Sequence, residues 1–312
     1  MSQLSSEELI AERLKRLSEL PSAFTSGIDK TTLEMSKAAA KALGKLEIID
    51  GKITLSIKNL SKISTIMKAI EDSLFGDAYV ESVKSLKEAL GESFDLTTSY
   101  YKEEFGTEFA SILKQEAPSG DLYEALFEKT IQEAQKRTMT LMYEDVVTQQ
   151  IITPLRGIIS DAVMSESSYA DALKSVTSYI EGTPTLDPAL TKYVNTQVYD
   201  SYSISDATYS TIINDSIGAE YYKYAGGEVP DTRHFCCQRH NHYFKKSEIE
   251  KWGNLSPWQG QRKGTNPQTI FLYRGGYNCK HQFIPISEGK YKRELEKDPS
   301  KGKYWQDCNQ MK

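Results

Sequence analysis

Apolar side chains recur every three or four residues along most of the first 220 positions, the spacing of helices that each bury one stripe. Ser5 and Glu8 form a capping-box pattern ahead of a stripe at Ile10, Leu14, Leu17 and Leu20, which Pro21 is expected to stop. A second helical stretch opens near Thr31 and ends at Gly44. In LEIIDGKITL, Leu46 to Leu55, Asp50-Gly51 sits between two short β-prone runs and predicts a tight hairpin. Leu60, Ile63, Met67, Ile70 and Leu74 then mark the seam of a helix ending near Gly76.

Tyr79, Val83, Leu86 and Leu90 predict a helix over 77–90, and Tyr101, Phe105, Phe109 and Ile112 another over about 93–116. The Asp121/Glu124 capping box opens a segment running to about Thr153, where Pro154 breaks or kinks it. Tyr169, Leu173, Val176 and Ile180 predict a helix closed by Gly182, and Asp187-Pro188 starts the next. Beyond Gly218 the pattern changes: EYYKY, Glu220 to Tyr224, is a strand candidate and Gly226-Gly227 turns the chain. The expected fold is therefore mainly α, a multi-helix N-terminal region with one short β-hairpin, followed by a small α+β module rich in Cys and His. The expected division is a helical region at 1–225, the module at 226–287, and a charged tail at 288–312 that is mobile or ordered by a partner.

Charge sharpens the contrast between the two parts. Residues 1–230 hold 22 Lys+Arg against 35 Asp+Glu, whereas residues 231–312 hold 16 against 8, so a net charge of -5 divides into -13 and +8. The basic part suits nucleic acid or an acidic protein surface, and equally a solvated face. No run approaches the roughly eighteen apolar residues of a spanning helix, and the charged N-terminus is unlike a secretory signal, which predicts a soluble, unexported protein. Four cysteines in 312 residues do not make a disulfide scaffold, leaving metal binding or reactivity to explain them.

All four histidines and three of the four cysteines fall within 48 residues, in two knots: DTRHFCCQRHNHYF (Asp231 to Phe244) and RGGYNCKHQFIPI (Arg274 to Ile286). Thiolates and imidazoles are the ligands that zinc prefers, so Cys236, His240, Cys279 and His281 are the candidate Cys2His2 set. Two other readings stay open. The cysteines can be small buried hydrophobes beside hydrogen-bonded histidines, or a Cys–His pair can act as nucleophile and base. Cys237 cannot share the orientation of Cys236, and Cys308 stands apart in the tail. Trp252 and Trp258 are expected to supply core area.

In order and spacing, Asp231-Thr-Arg233-His-Phe235-Cys236, Tyr243-Phe244, Glu248-Ile249, Trp252 and Gly275-Gly276-Tyr277-Asn278-Cys279-Lys280-His281 resemble the C-terminal domain of phage Mu F-like head-morphogenesis proteins. The signature positions are Asp231, Arg233, Phe244, Gly275, Gly276 and Asn278, and the resemblance spans roughly residues 188–287. Many members carry Cys-x-x-Cys in the first knot and His-Pro-x-Cys-Arg-Cys in the second, where this chain has Cys236-Cys237 and Asn278-Cys279-Lys280-His281. The resemblance implies a minor head protein of a bacteriophage. Such a protein is made in the host cytoplasm, sits at the portal vertex or capsid interior, and acts in head assembly, DNA packaging or ejection.

Its implied partners are the portal protein, the major capsid protein and genomic double-stranded DNA, with no membrane. The acidic helices would contact protein and the basic module DNA or another virion component. No Gly-rich phosphate loop or catalytic carboxylate pair is evident, so no enzymatic activity is expected. The rivals are a Cys/His-dependent nuclease or hydrolase, and a zinc-stabilised nucleic-acid-binding module with no virion role.

Overall fold

The computed structural model describes residues 4–115, 141–227 and 232–304, with four single residues between 129 and 136. Most of them are helical, as expected. Helix α1 (Ser6–Leu43) starts at the predicted capping box: the Ser5 amide donates to Glu8 Oε2 at 2.8 Å and the Glu8 amide to Ser5 Oγ at 3.4 Å. The helix continues through Pro21 rather than stopping there. Proline's φ suits a helix, and what it withdraws is one amide donor in a helix of 38 residues. A hairpin follows, β1 (Ile48–Ile49) and β2 (Lys52–Ile53), turned by Asp50 and Gly51 at φ 49° and 77° as Asp-Gly predicts.

Helix α2 (Ile57–Leu74) buries Ile63, Ile66, Met67, Ile70 and Leu74. Leu60, expected on that seam, is 42% exposed, and the position is taken by the fully buried Asn59. The reason is polar. The Asn59 side chain accepts from the Glu47 amide at 2.8 Å and donates to the carbonyls of Glu47 and Thr54 at 3.0 and 2.8 Å, closing the hairpin onto the helix. Helix α3 (Asp77–Gln115) joins the two helices expected at 77–90 and 93–116, and its backbone leaves helical geometry at Gly106 (φ 45°, ψ −111°). The segment from the Asp121 capping box lies largely outside the described residues, which resume in a π-helical stretch at Leu141–Ile152.

Pro154 stands in the first turn of α4 (Thr153–Met164), where its missing donor costs nothing. Helix α5 (Tyr169–Glu181) buries Ala172, Val176 and Ile180 and ends at Gly182, at φ 78°. Helix α6 (Ala189–Ser216) leads to strand β3 (Tyr221–Gly226), the short helix α7 (His234–Cys237), β4 (His242–Lys245), and α8 (Lys246–Trp252). Helix α9 (Ile270–Tyr273), β5 (His281–Ile286) and α10 (Glu288–Lys297) complete the chain's main elements. The three strands form one antiparallel sheet in the order β4-β3-β5.

The chain divides into two compact units: Met1–Glu19, Ala89–Ala134 and Asp200–Lys312 make one, Leu20–Glu88 and Gln135–Tyr199 the other. This differs from a cut at residue 225, which would fall inside the central strand β3. In the first unit the sheet is tied to helical segments far away in sequence. The Tyr100 hydroxyl donates to the Pro285 carbonyl at 2.5 Å, the Asn278 amide to Asp200 Oδ1 at 2.8 Å, and Arg274 to Ser203 Oγ at 2.7 Å. The Cys/His region is therefore one side of a larger core. The described part of its tail, to Tyr304, is likewise built in: Lys290 of α10 lies between Glu7 (2.7 Å) and the half-buried Glu104 (3.3 Å), and the Tyr304 hydroxyl accepts from the Trp252 indole at 2.7 Å. Among the described residues, no helix is long and apolar enough to cross a membrane.

Candidate metal centre

Alternation along β3 puts Tyr222 and Tyr224 on the buried face of the sheet. They pack with Phe235, Phe244, Ile249, Trp252, Ile270, Phe271 and Phe283 around Cys236 and Cys279. Phe244, a signature position, and Trp252 are core residues, as expected of Trp252. The two knots meet here because β3 lies between the strands that carry them. Helix α7 presents Cys236; Cys279 precedes β5, and His281 is its first residue.

The ligand atoms of Cys236, Cys279 and His281 lie within 4.8 Å of one another, and all three residues are buried. The sulfurs are free thiols 3.6 Å apart. The Tyr224 hydroxyl is 3.4 Å from one and 3.5 Å from the other, and its ring stacks on that of His281 with centroids 5.0 Å apart. Burial holds the Tyr224 phenol well above its usual range, so it stays protonated and donates to sulfur. His240 stands one step further out than the expected four-residue set, with Nδ1 3.0 Å from His281 Nε2 and Nε2 2.6 Å from the Asn241 amide. It lies against His281 and is not one of the three residues whose ligand atoms group together.

The backbone explains the signature residues. A Cβ on Gly275 would fall 2.2 Å from Cys236 Sγ and 2.9 Å from Cys279 Sγ, so glycine keeps open the space beside both sulfurs. A Cβ on Gly276 would strike the Gly260 carbonyl oxygen at 1.9 Å, and its φ of 107° is one that other residues rarely adopt. Asn278, at φ 55°, is in the left-handed region that asparagine tolerates. Arg233 joins the knots by donating to the Tyr277 carbonyl at 2.5 Å. Asp231 lies outside the described residues, as does Cys308. Tyr224 and Arg239 were not singled out from the sequence; the only signal for Tyr224 was its place in EYYKY.

The two thiols share their protonation unequally. Cys279 is held well below the usual thiol range, first because the Cys236 S–H donates to it and next because His281 and Arg274 act on it; the same pairing, with burial, pushes Cys236 up. Cys279 is thus the sulfur that ionises first. A soft thiolate with an imidazole and a second thiol is a donor set suited to a transition-metal ion, and Gly275 leaves no side chain against the two sulfurs. Gly275→Ala should accordingly abolish metal uptake and destabilise the protein by about 1–3 kcal/mol, as overpacking does; a substituted protein with unchanged metal content and melting point would contradict this geometry.

Burial also lowers His240 and His242 to about 4, His240 with help from His281. In the unfolded chain both take up protons near pH 6.5, whereas the folded chain resists until about pH 4. The associated stability is therefore full above about pH 6.5 and is lost as pH falls towards 4, by on the order of 2 kcal/mol per histidine. Urea titrations between pH 7 and 4 should show this decline, and His242→Gln should flatten it by about half. Compared with family profiles, characterised proteins and solved structures, the chain shows no significant match.

Proposed function

We propose that this protein is a structural component of a bacteriophage head, a minor head protein associated with the portal or capsid interior, and that its Cys/His core is a structural zinc site. One observation carries the reading. Of the signature residues in described regions, Arg233 and Gly275 join the two knots, Arg233 by its bond to the Tyr277 carbonyl and Gly275 by its place against both sulfurs, while Phe244 is core and Gly276 and Asn278 hold the turn that leads to Cys279. Zinc suits the sulfur spacing, because a tetrahedral ion with Zn–S bonds of about 2.3 Å holds its sulfurs about 3.8 Å apart, and these stand at 3.6 Å. Cys236, Cys279 and His281 would be ligands, and His240, 3.0 Å from His281, would be the candidate for a fourth position.

Enclosure favours a structural role over a catalytic one. Cys279 and His281 are 3% and 2% exposed, and neither lines the cleft formed next to α7 by Arg233, Phe235 and Trp258. A Cys279 nucleophile with a histidine base remains the second reading, favoured by the low thiol pKa. Mass spectrometry of purified particles tests the first: the chain should co-purify with portal and major capsid protein, in few copies. Its absence from particles, with the protein free in the lysate, would overturn the virion assignment while leaving the zinc site to be judged by metal content.

A further inference from the structure

Arg239, just beyond α7, is a cation in an unusual position. It is 5% exposed, and its guanidinium carbon lies 3.9 Å from the centre of the Phe235 ring, 4.6 Å from Trp252 and 4.9 Å from Tyr304. One nitrogen donates to the Phe235 carbonyl at 2.8 Å, while Nε is buried without an acceptor. Among the described residues no carboxylate pairs with it. Glu248 acts on it only through space and accepts from the Tyr304 hydroxyl at 2.9 Å. Arginine does not shed its proton under such conditions. Aromatic faces offset part of the cost of burying the charge, and the remainder calls for an anion.

Arg239 lines a cleft of about 340 Å³ together with Arg233, His234, Gln238, Ser256 and Gln259, and with the apolar Phe235, Leu255 and Trp258. The described lining includes two arginines, of which Arg233 also donates to the Tyr277 carbonyl, with a histidine, two glutamines and a serine, and no carboxylate. Phe235 and Trp258 stack on each other with centroids 4.2 Å apart and planes 13° apart. So many donors exceed what the two oxygens of one carboxylate accept, whereas a phosphate group presents more oxygens to guanidinium forks. Aromatic side chains beside a phosphate site are the arrangement that takes nucleotides, and the surrounding residues 231–312 carry 16 Lys+Arg against 8 Asp+Glu.

We propose that this cleft is a phosphate-binding site for a nucleotide or polynucleotide, with Arg239 and Arg233 holding the phosphate and the Phe235–Trp258 pair forming an apolar wall beside it. The site is separate from the metal centre: none of Cys236, Cys279 and His281 lines it. Binding would place a countercharge against Arg239, so ligand and fold stabilise one another.

The test uses the full chain as purified, with its metal content measured, at low salt. The probes are inorganic phosphate, a mononucleotide, a fluorescent single-stranded oligonucleotide and an acidic peptide. The oligonucleotide should bind in a salt-dependent manner, and Arg239→Met should weaken it at least about tenfold, the loss of one charge-assisted contact. Gln238→Glu sets a carboxylate in the cleft at a half-buried position that the core does not use, so it should weaken binding similarly with folding unchanged; it decides the matter if Arg239→Met does not fold. Competition by phosphate or mononucleotide at comparable concentration assigns a free anion as the source, and binding of the polymer alone assigns a polynucleotide. Wild-type affinity in Gln238→Glu, no binding of any phosphate probe, or preference for the acidic peptide would overturn the proposal.

Discussion

Purified full-length protein should carry close to one zinc per chain, and a strong chelator should unfold the unit that contains the sheet while leaving Leu20–Glu88 and Gln135–Tyr199 helical. Structural zinc contributes on the order of 10 kcal/mol in small modules, as much as the whole stability of an ordinary domain. The protein supplies a reporter in that unit, because Trp252 and Trp258, the tryptophans among the described residues, both belong to it. Chelation should therefore shift tryptophan emission to the red with a smaller loss of helical circular dichroism. Cys279→Ser should reproduce the effect without chelator, and zinc should restore the wild type only. Protein prepared without chelator that contains no zinc, or whose emission ignores chelation, would sink the metal reading. The thiols, Tyr224 and the histidines would then be a hydrogen-bonded core.

The second large effect is expected far from the cysteines. Arg13 and Asp206 are 2% and 0% exposed and meet at 2.6 Å, with Ser210 and Ser93 completing the polar cluster at 2.8 and 3.3 Å. Removing one partner strands a buried charge, at a cost of about 3–5 kcal/mol. Asp206→Asn should lower the unfolding free energy by that amount in urea titrations read by tryptophan emission. Arg13→Met with Asp206→Leu should recover much of the loss, since apolar residues of similar volume often replace a buried pair without penalty. A single substitution costing under about 1 kcal/mol, or a double one costing the sum of both singles, would show that the pair does not hold the unit together.

What could be read from the sequence follows the range of each interaction. The hairpin was legible because Asp50-Gly51 specifies its own turn, and α5 because its stripe and Gly182 are local signals. The two knots were legible as a cluster by residue type alone. Arg13 was not, because its burial depends on an aspartate 193 positions later; the expected stripe named Ile10 and Leu14, while the fully buried positions are Leu9, Arg13 and Leu17. The division between units was hidden for a similar reason. It passes between Tyr199 and Asp200, within helix α6, where no change of composition marks it. His240 lies beside His281 and outside the group of three, since spacing does not say which of two histidines faces the sulfurs.

The unit holding the candidate metal centre is assembled from three separated stretches of chain, and Lys290 reaches both Ser6 and Glu104. During synthesis the unit formed by Leu20–Glu88 and Gln135–Tyr199 has all its residues before β3, β4 and β5 are translated. The first nineteen residues must wait for α6, the sheet and α10. Contacts of such long sequence separation form slowly, and until they form, the start of α1 and the aromatic residues of α3 have an unfinished core to cover them. The order of completion is thus written into the chain: Cys236, Cys279 and the residues that close around them follow every residue of the Leu20–Glu88 and Gln135–Tyr199 unit, so the sealing of that core comes after that unit's residues are all present.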